Sequence, residues 1–175
     1  NVPSKGKTNW RTPLAGYYAH CSVLDLCVGR LLDALDEKGI ADDTIFVFTS
    51  DHGDMIGSHG KRNKQQAYDE SLCVPFLLRY PKKFGRQGKE LDAMLNTPDI
   101  MPTLLSLSGL PIPETVEGID YAEYIDSKDD PTDGAAYICC IHPFGQWHSR
   151  NGGREYRGLR TERYTYVEDL TGPWM

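Results

Sequence analysis

Leu14, Tyr17, Cys21, Leu24, Val28, Leu31 and Leu35 recur at alternating spacings of three and four, and no other pattern in the chain is as restrictive. Such a series lays one apolar stripe along a long helix. Gly39 stands where a helix C-terminal cap needs a left-handed residue. After the turn Ala41-Asp42-Asp43, residues Thr44 to Ser50 carry the run Ile45-Phe46-Val47-Phe48, apolar on both faces, which predicts a strand interior to a sheet. A helix feeding a buried strand is half of a βαβ repeat, so the predicted class is α/β, a central sheet flanked by helices. The 175 residues suffice for one core and a small second unit. With 39% hydrophobic and 25% charged residues, the composition is that of an ordered globular chain. The apolar runs are strand-sized, too short to span a bilayer, so no membrane role is predicted.

The predicted strand opens into TSDHGDMIGSHGKRNK, Thr49 to Lys64. Open α/β sheets bind ligands at the carboxyl ends of their strands, which is where this loop starts. Asp51 and His52, freed by Gly53, have the chemistry to share one divalent cation. The carboxylate suits Ca²⁺ or Mg²⁺, and the imidazole also suits zinc, iron or manganese. On the tripeptide alone the better reading is an ordinary turn, with Asp51 capping backbone groups, His52 a satisfied neighbour and Gly53 at positive φ. Further on, Lys64 is placed to put an ammonium beside a tetrahedral anion, whereas Lys61 and Arg62 read as a solvated charge run. His59 reads as a substrate contact, a partner of a metal ligand, or a packed side chain. A net charge of −6 argues against a broad nucleic-acid face, so an anionic substrate must be met by such a local basic cluster.

No nucleophile stands out. Cys73-Val74-Pro75 is followed by Phe76 and Leu77 and reads as a strand entry, and Ser50 lacks a G-x-S-x-G elbow. The five cysteines show no repeated metal-type spacing and are expected to be buried free thiols. Cys73 to Tyr80 is predicted as a strand and Pro81 to Lys89 as a basic loop. Thr97 is predicted to cap a helix running from Pro98 to Ser108 and closed by Gly109. Asp126 to Asp133 is an acidic, turn-rich linker. Ala135 to Ile141 and a hairpin over Tyr156 to Val167, turning near Glu162, predict a small antiparallel sheet. His142, Trp147, His148 and Arg150 form an aromatic and basic cluster suited to a sugar ring or an anionic group.

The order YYAHCSVLDLCVGRLLDALDEKGI, DDTIFVFTSDHGDMIGSHGKRNK, YDESLCVPFLLRYP and TPDIMPTLLSLSGL resembles the second half of a type I sulfatase of the alkaline-phosphatase superfamily. YRGLRTERYTYV resembles strands of that family's C-terminal subdomain. The resemblance implies an alkaline-phosphatase-like sandwich over residues 1–125 and the start of a small β subdomain over 126–175. It also implies Ca²⁺ on Asp51 and His52, a sulfate contact from the catalytic Lys64, and a substrate-binding neighbourhood of His59, His142, Trp147 and Arg150. The implied activity is hydrolysis of a sulfate ester of a small molecule or glycan. A phosphonate monoester or phosphodiester hydrolase and a non-catalytic binding domain are the competing readings. The family's Cys/Ser-x-Pro-x-Arg motif, source of its formylglycine nucleophile, and its early pair of Asp ligands have no counterpart in this sequence. The expectation is therefore an internal fragment, inactive by itself and prone to self-association, of a longer protein for which a periplasmic or secreted location is plausible.

Overall fold

The computed structural model describes residues 9–127, 131–145, 148 and 153–173. The chain divides into two compact units, Asn1–Gly88 and Lys89–Met175. The sequence had suggested a subdomain boundary at residue 126, inside the acidic segment of which residues 128–130 lie outside those described.

In the first unit, helix α1 spans Arg11–Glu37. It stops through Gly39, at φ +67°, with Gly39 N–H donating to Asp36 O and Ile40 N–H to Leu35 O. The left-handed residue lets these donors reach back to carbonyls of the last turn. The apolar stripe exists but is only partly covered: no α1 residue is buried, Leu24 and Leu31 are each more than half exposed, and Val28 and Leu35 are half-buried. Cys21 and Cys27 are exposed with it, as are Cys73 and Cys139, so the expectation of buried thiols fails for these four. A periodic stripe specifies a face to be buried; burial itself needs a partner element, and what α1 meets near its C-terminal end, the Ala41–Asp43 turn and the Arg79 and Arg86 side chains on Asp36, leaves most of that face exposed. Cys140 is half-buried, and burial pushes its thiol pKa up.

A 3₁₀ turn, Ala41–Asp43, leads into β1, Phe46–Thr49, which pairs antiparallel with β2, Phe76–Arg79. The register sets Phe46 opposite Arg79 and Thr49 opposite Phe76. Among the described residues β1 has this one neighbour, and its three apolar residues are half-buried. The expected interior strand is thus an edge here, because an apolar run reports what must be covered and not how many strands cover it. Between the strands lie the loop discussed below and one helical turn, α2, Asp69–Leu72. A further turn, α3, Pro81–Phe84, occupies part of the predicted basic loop. Its surroundings are ionic: Lys82 pairs with Asp43, and Arg86 with Asp36 and Asp42. Such exposed pairs hold the turn in place more than they stabilise the fold.

In the second unit, helix α4 spans Thr97–Leu107. Its N-cap is Asn96 rather than Thr97. Asn96 Oδ1 accepts from Thr97 N–H at 2.8 Å, and Asp99 Oδ2 accepts from Asn96 N–H at 2.7 Å, a reciprocal box at the first turn. Asp99 is buried, and its other oxygen accepts from Ile119 N–H at 2.8 Å. Pro102 cannot donate to Pro98 O, and Gly118 uses that space: a Cβ there would sit 2.0 Å from this oxygen. Thr103 Oγ1 accepts from Tyr121 N–H at 3.0 Å, so residues 118–121 are stitched along α4. Tyr121, Ala122 and Tyr124, which opens the short helix α5 (Tyr124–Ser127), are buried beside it.

The remaining strands form one antiparallel sheet in the order β3 (Ala135–Cys140), β4 (Tyr156–Thr161), β5 (Thr165–Asp169) and β6 (Gly172–Pro173). The β4–β5 hairpin turns at Glu162–Tyr164, as its sequence predicted, closed by Thr161 N–H donating to Tyr164 O at 2.8 Å. Val167 and Tyr156 are its buried positions, and burial drives the Tyr156 phenol pKa well above its usual value. The architecture is α/β with a small C-terminal antiparallel sheet, as the sequence predicted. Among the described residues no helix is long and apolar enough to cross a membrane.

Candidate functional site

Everything chemically suggestive in the first unit lies between β1 and α2. Strand β1 ends at Thr49, and Ser50 turns the chain: its hydroxyl donates to His52 O at 2.9 Å. Asp51 Oδ1 accepts from His52 N–H at 3.0 Å. The Asp51 side chain is 84% exposed and that of His52 36%. His52 Nδ1 lies 2.8 Å from Gly53 O. A carbonyl only accepts, so Nδ1 carries the proton and the Nε2 lone pair is left over. That lone pair lies 3.4 Å from Asp51 Oδ2. Two electron-rich atoms held this close are stabilised by a cation shared between them, either a proton on Nε2 or a metal ion. The donor set, one carboxylate oxygen and one imidazole nitrogen, fits a divalent metal. Among the described residues no third His, Cys, Asp or Glu joins them.

Gly53 makes this placement possible. Its N–H donates to Ser71 O at 3.0 Å, and a Cβ would stand 2.1 Å from Glu70 O. Only a residue without a side chain lets the strand-end loop lie against the Glu70–Ser71 backbone. The chain then makes a closed excursion. Asp54 Oδ1 accepts from Ile56 N–H at 2.9 Å, Met55 N–H donates to Asn63 O at 2.8 Å, and Gly57 N–H donates to Lys61 O at 2.9 Å. These rungs fold residues 55–63 back on themselves, and Met55, buried beneath, anchors the base. The excursion therefore returns Lys64 beside Asp54, two residues from His52 along the strand-end loop. Lys64 is half-buried, and among the described residues no carboxylate pairs with it.

The bend is expensive in backbone terms. Ile56, His59, Asn63 and Gln65 all have positive φ, between 38° and 65°. Left-handed non-glycine residues persist only where surroundings over-determine them. Two clamps do so here. On one side the Trp10 ring lies flush on Gly57, where a Cβ would come within 2.7 Å of it, and the Arg62 guanidinium sits 4.9 Å from the ring centroid. On the other, the His59 ring stacks on Tyr68 at 3.9 Å and 10°, with Nε2 3.8 Å from Glu70 Oε1. Arg62, expected to be a solvated charge, is exposed and also lies over the Trp10 ring as a cation–π partner.

Sequence reasoning singled out Asp51, His52, His59 and Lys64, and the structure brings them into one loop. It passed over Trp10, Tyr68 and Glu70. Nothing in sequence marks Trp10. In the second unit His142 is exposed just beyond β3, and His148 is half-buried. Trp147 and Arg150 lie outside the described residues.

Comparison with known proteins converges on one family. Residues 3–110 match the family model described as Sulfatase, and residues 57–171 that of the N-sulphoglucosamine sulphohydrolase C-terminal region. The chain is 41% identical over 177 residues to an ulvan-active sulfatase of Formosa agariphila, an alignment covering 100% of this chain and 34% of that protein. Among solved structures it is similar to BT4656, determined with its substrate D-glucosamine-2-N,6-O-disulfate, at 28% identity and TM-score 0.81, covering 93% of this chain and 33% of that one. It is also similar to a phosphonate monoester hydrolase from Silicibacter pomeroyi, at 31% identity and TM-score 0.65, covering 82% and 30%. The chain spans about a third of the length of the curated relatives it matches.

Proposed function

This chain belongs to the sulfatase family, and we propose that it contributes part of the metal and sulfate site of an enzyme hydrolysing sulfate esters of glycans or aryl alcohols. The observation carrying the proposal is the Asp51–His52 pair, with Nε2 and Oδ2 3.4 Å apart and the tautomer set by Gly53 O. These two groups hold the divalent ion, for which Ca²⁺ is the proposed identity. When bound, the ion supplies positive charge that polarises the sulfate oxygens. Gly53 O holds a His52 proton on Nδ1, which makes Nε2 the ligand atom. Lys64, returned beside Asp54 by the closed excursion, carries the ammonium that neutralises charge developing on the departing oxygen. The glycan assignment is supported by relatives that act on ulvan or were solved with a sulfated glucosamine.

The test is hydrolysis of an aryl sulfate compared with an aryl phosphonate by the protein at its natural length, with and without a chelator. Chelator-sensitive sulfate turnover exceeding phosphonate turnover is expected. Preference for the phosphonate would favour the second reading, a phosphonate monoester hydrolase, which the similarity to the Silicibacter enzyme keeps in view.

A further inference from the structure

His59 has left-handed backbone, φ +53°, ψ +21°, at the tip of the 55–63 excursion. That conformation is uncommon for a residue with a side chain, so its surroundings must over-determine it. The rungs across the excursion do so along the backbone, and the two contacts of its ring add to them. The stack on Tyr68, 3.9 Å and nearly parallel, is close; the approach to Glu70, 3.8 Å between two half-exposed groups, is longer than a hydrogen bond. The stack therefore carries more of the restraint. Tyr68 and Glu70 flank the N-terminal end of α2, whose backbone at Glu70–Ser71 is the surface on which Gly53 lies. The same segment thus supports the Asp51–His52 pair from one side and, through His59, the tip of the excursion that returns Lys64 from the other.

We propose that His59 is a positioning residue rather than a substrate ligand. Clipped to Tyr68 and Glu70, it keeps the 55–63 excursion closed, so that Lys64 stands at a set place relative to Asp51 and His52. The role in turnover rests on the sulfate-site reading of Lys64; the clip itself rests on geometry alone. Substitution separates the contributions. Asparagine accepts positive φ more readily than histidine, so His59→Asn removes the clip while easing the backbone. Any opening of the loop in that variant comes from the lost ring contacts. His59→Phe keeps a ring for the stack and loses only the approach to Glu70.

Two measurements on the protein at its natural length decide the matter. Hydrogen exchange at the Met55 and Gly57 amides, which donate across the excursion, is expected to speed up about tenfold or more in His59→Asn. His59→Phe should stay near wild type, and amides of β1 and β2 should be unchanged in both. In aryl sulfate turnover, His59→Asn is expected to lower kcat about tenfold, and to add nothing in a Lys64→Ala background, because it acts through Lys64. Unchanged exchange in His59→Asn, or losses that multiply in the double variant, would overturn the proposal. If wild type hydrolyses no aryl sulfate, the functional reading falls, and the exchange data still decide whether His59 clips the loop.

Discussion

Lys61 and Lys64 are near neighbours in sequence with different surroundings. Lys61 lies on the arm of the excursion, its carbonyl taken by Gly57 N–H at 2.9 Å, and Lys64 comes after the arm has closed. A transition-state role for Lys64 means that Lys64→Ala lowers kcat by a factor on the order of 10²–10³, as for a lost oxyanion donor. Lys61→Ala should change it several-fold at most, since the backbone rung is unaffected. Steady-state kinetics of both variants check this, and equal mild effects would remove Lys64 from the mechanism. Asp169 offers a test by pH. Its Oδ1 accepts from the Thr171 hydroxyl at 2.5 Å and the Thr171 N–H at 2.8 Å, and Oδ2 from Arg154 Nε at 2.9 Å. These donors, the Thr171 hydroxyl foremost, lower its pKa from the ordinary 3.8 to about 2. A depressed carboxylate stabilises the fold above its unfolded pKa and loses that contribution as pH falls through the folded value. The melting-temperature gap between wild type and Asp169→Asn should therefore be full at pH 5 and shrink between about pH 4 and 2. A gap independent of pH would show that the carboxylate charge is not what closes the β5–β6 turn.

Among the elements, the strand-end loop depends on Gly53 more than on any other backbone position. A Cβ there meets Glu70 O at 2.1 Å, and both partners are main chain, so neither can rotate away. Gly53→Ala should cost on the order of 2 kcal/mol and should weaken metal affinity as well, since Asp51 and His52 move with the loop. Gly88→Ala, where nothing lies within 4 Å, is the control and should fall within about 0.5 kcal/mol of wild type. Denaturant midpoints for the two variants provide the comparison, and equal midpoints would mean that the loop yields easily. For α4 the cap is the sensitive point. Asn96→Ala removes the acceptor for Thr97 N–H and the side-chain amide that donates to Tyr137 O at 2.6 Å. About 1 kcal/mol is expected from the cap alone. Elements whose signals are local were legible in advance: the α1 stop at Gly39, the β4–β5 turn and the α4 span all follow from residues near their ends. The α4 cap was placed one residue late because Thr97 and Asn96 are both good caps, and the choice is made by Asp99 reaching back to Asn96 N–H.

For the molecule as a whole, the chain as given should hold divalent metal weakly and should not turn over sulfate esters. Asp51 and His52 are two proposed ligands, while Ca²⁺ takes about six to eight. The largely exposed stripe of α1, with Leu24 and Leu31 both more than half exposed, should also drive self-association of this 175-residue chain. Calorimetric titration with Ca²⁺, an aryl sulfate assay and sedimentation over a concentration series test these outcomes. Micromolar Ca²⁺ binding with measurable turnover would sink the first, and a monomer at all concentrations the second.

The class of each element and the chemistry of the loop are legible in short stretches of sequence. Helical period, apolar strand runs, turn glycines and the Asp51-His52-Gly53 triplet are properties of near neighbours, and near neighbours decide them. Which distant residues hold that chemistry in place emerges only from the folded chain. Trp10 on Gly57, Tyr68 under His59 and Glu70 O against Gly53 are contacts between segments with no local signature. Burial was settled in the same way. The stripe of α1 and the run of β1 state a demand for cover, but whether a neighbour meets it depends on the packing of the whole chain, which no window of sequence contains.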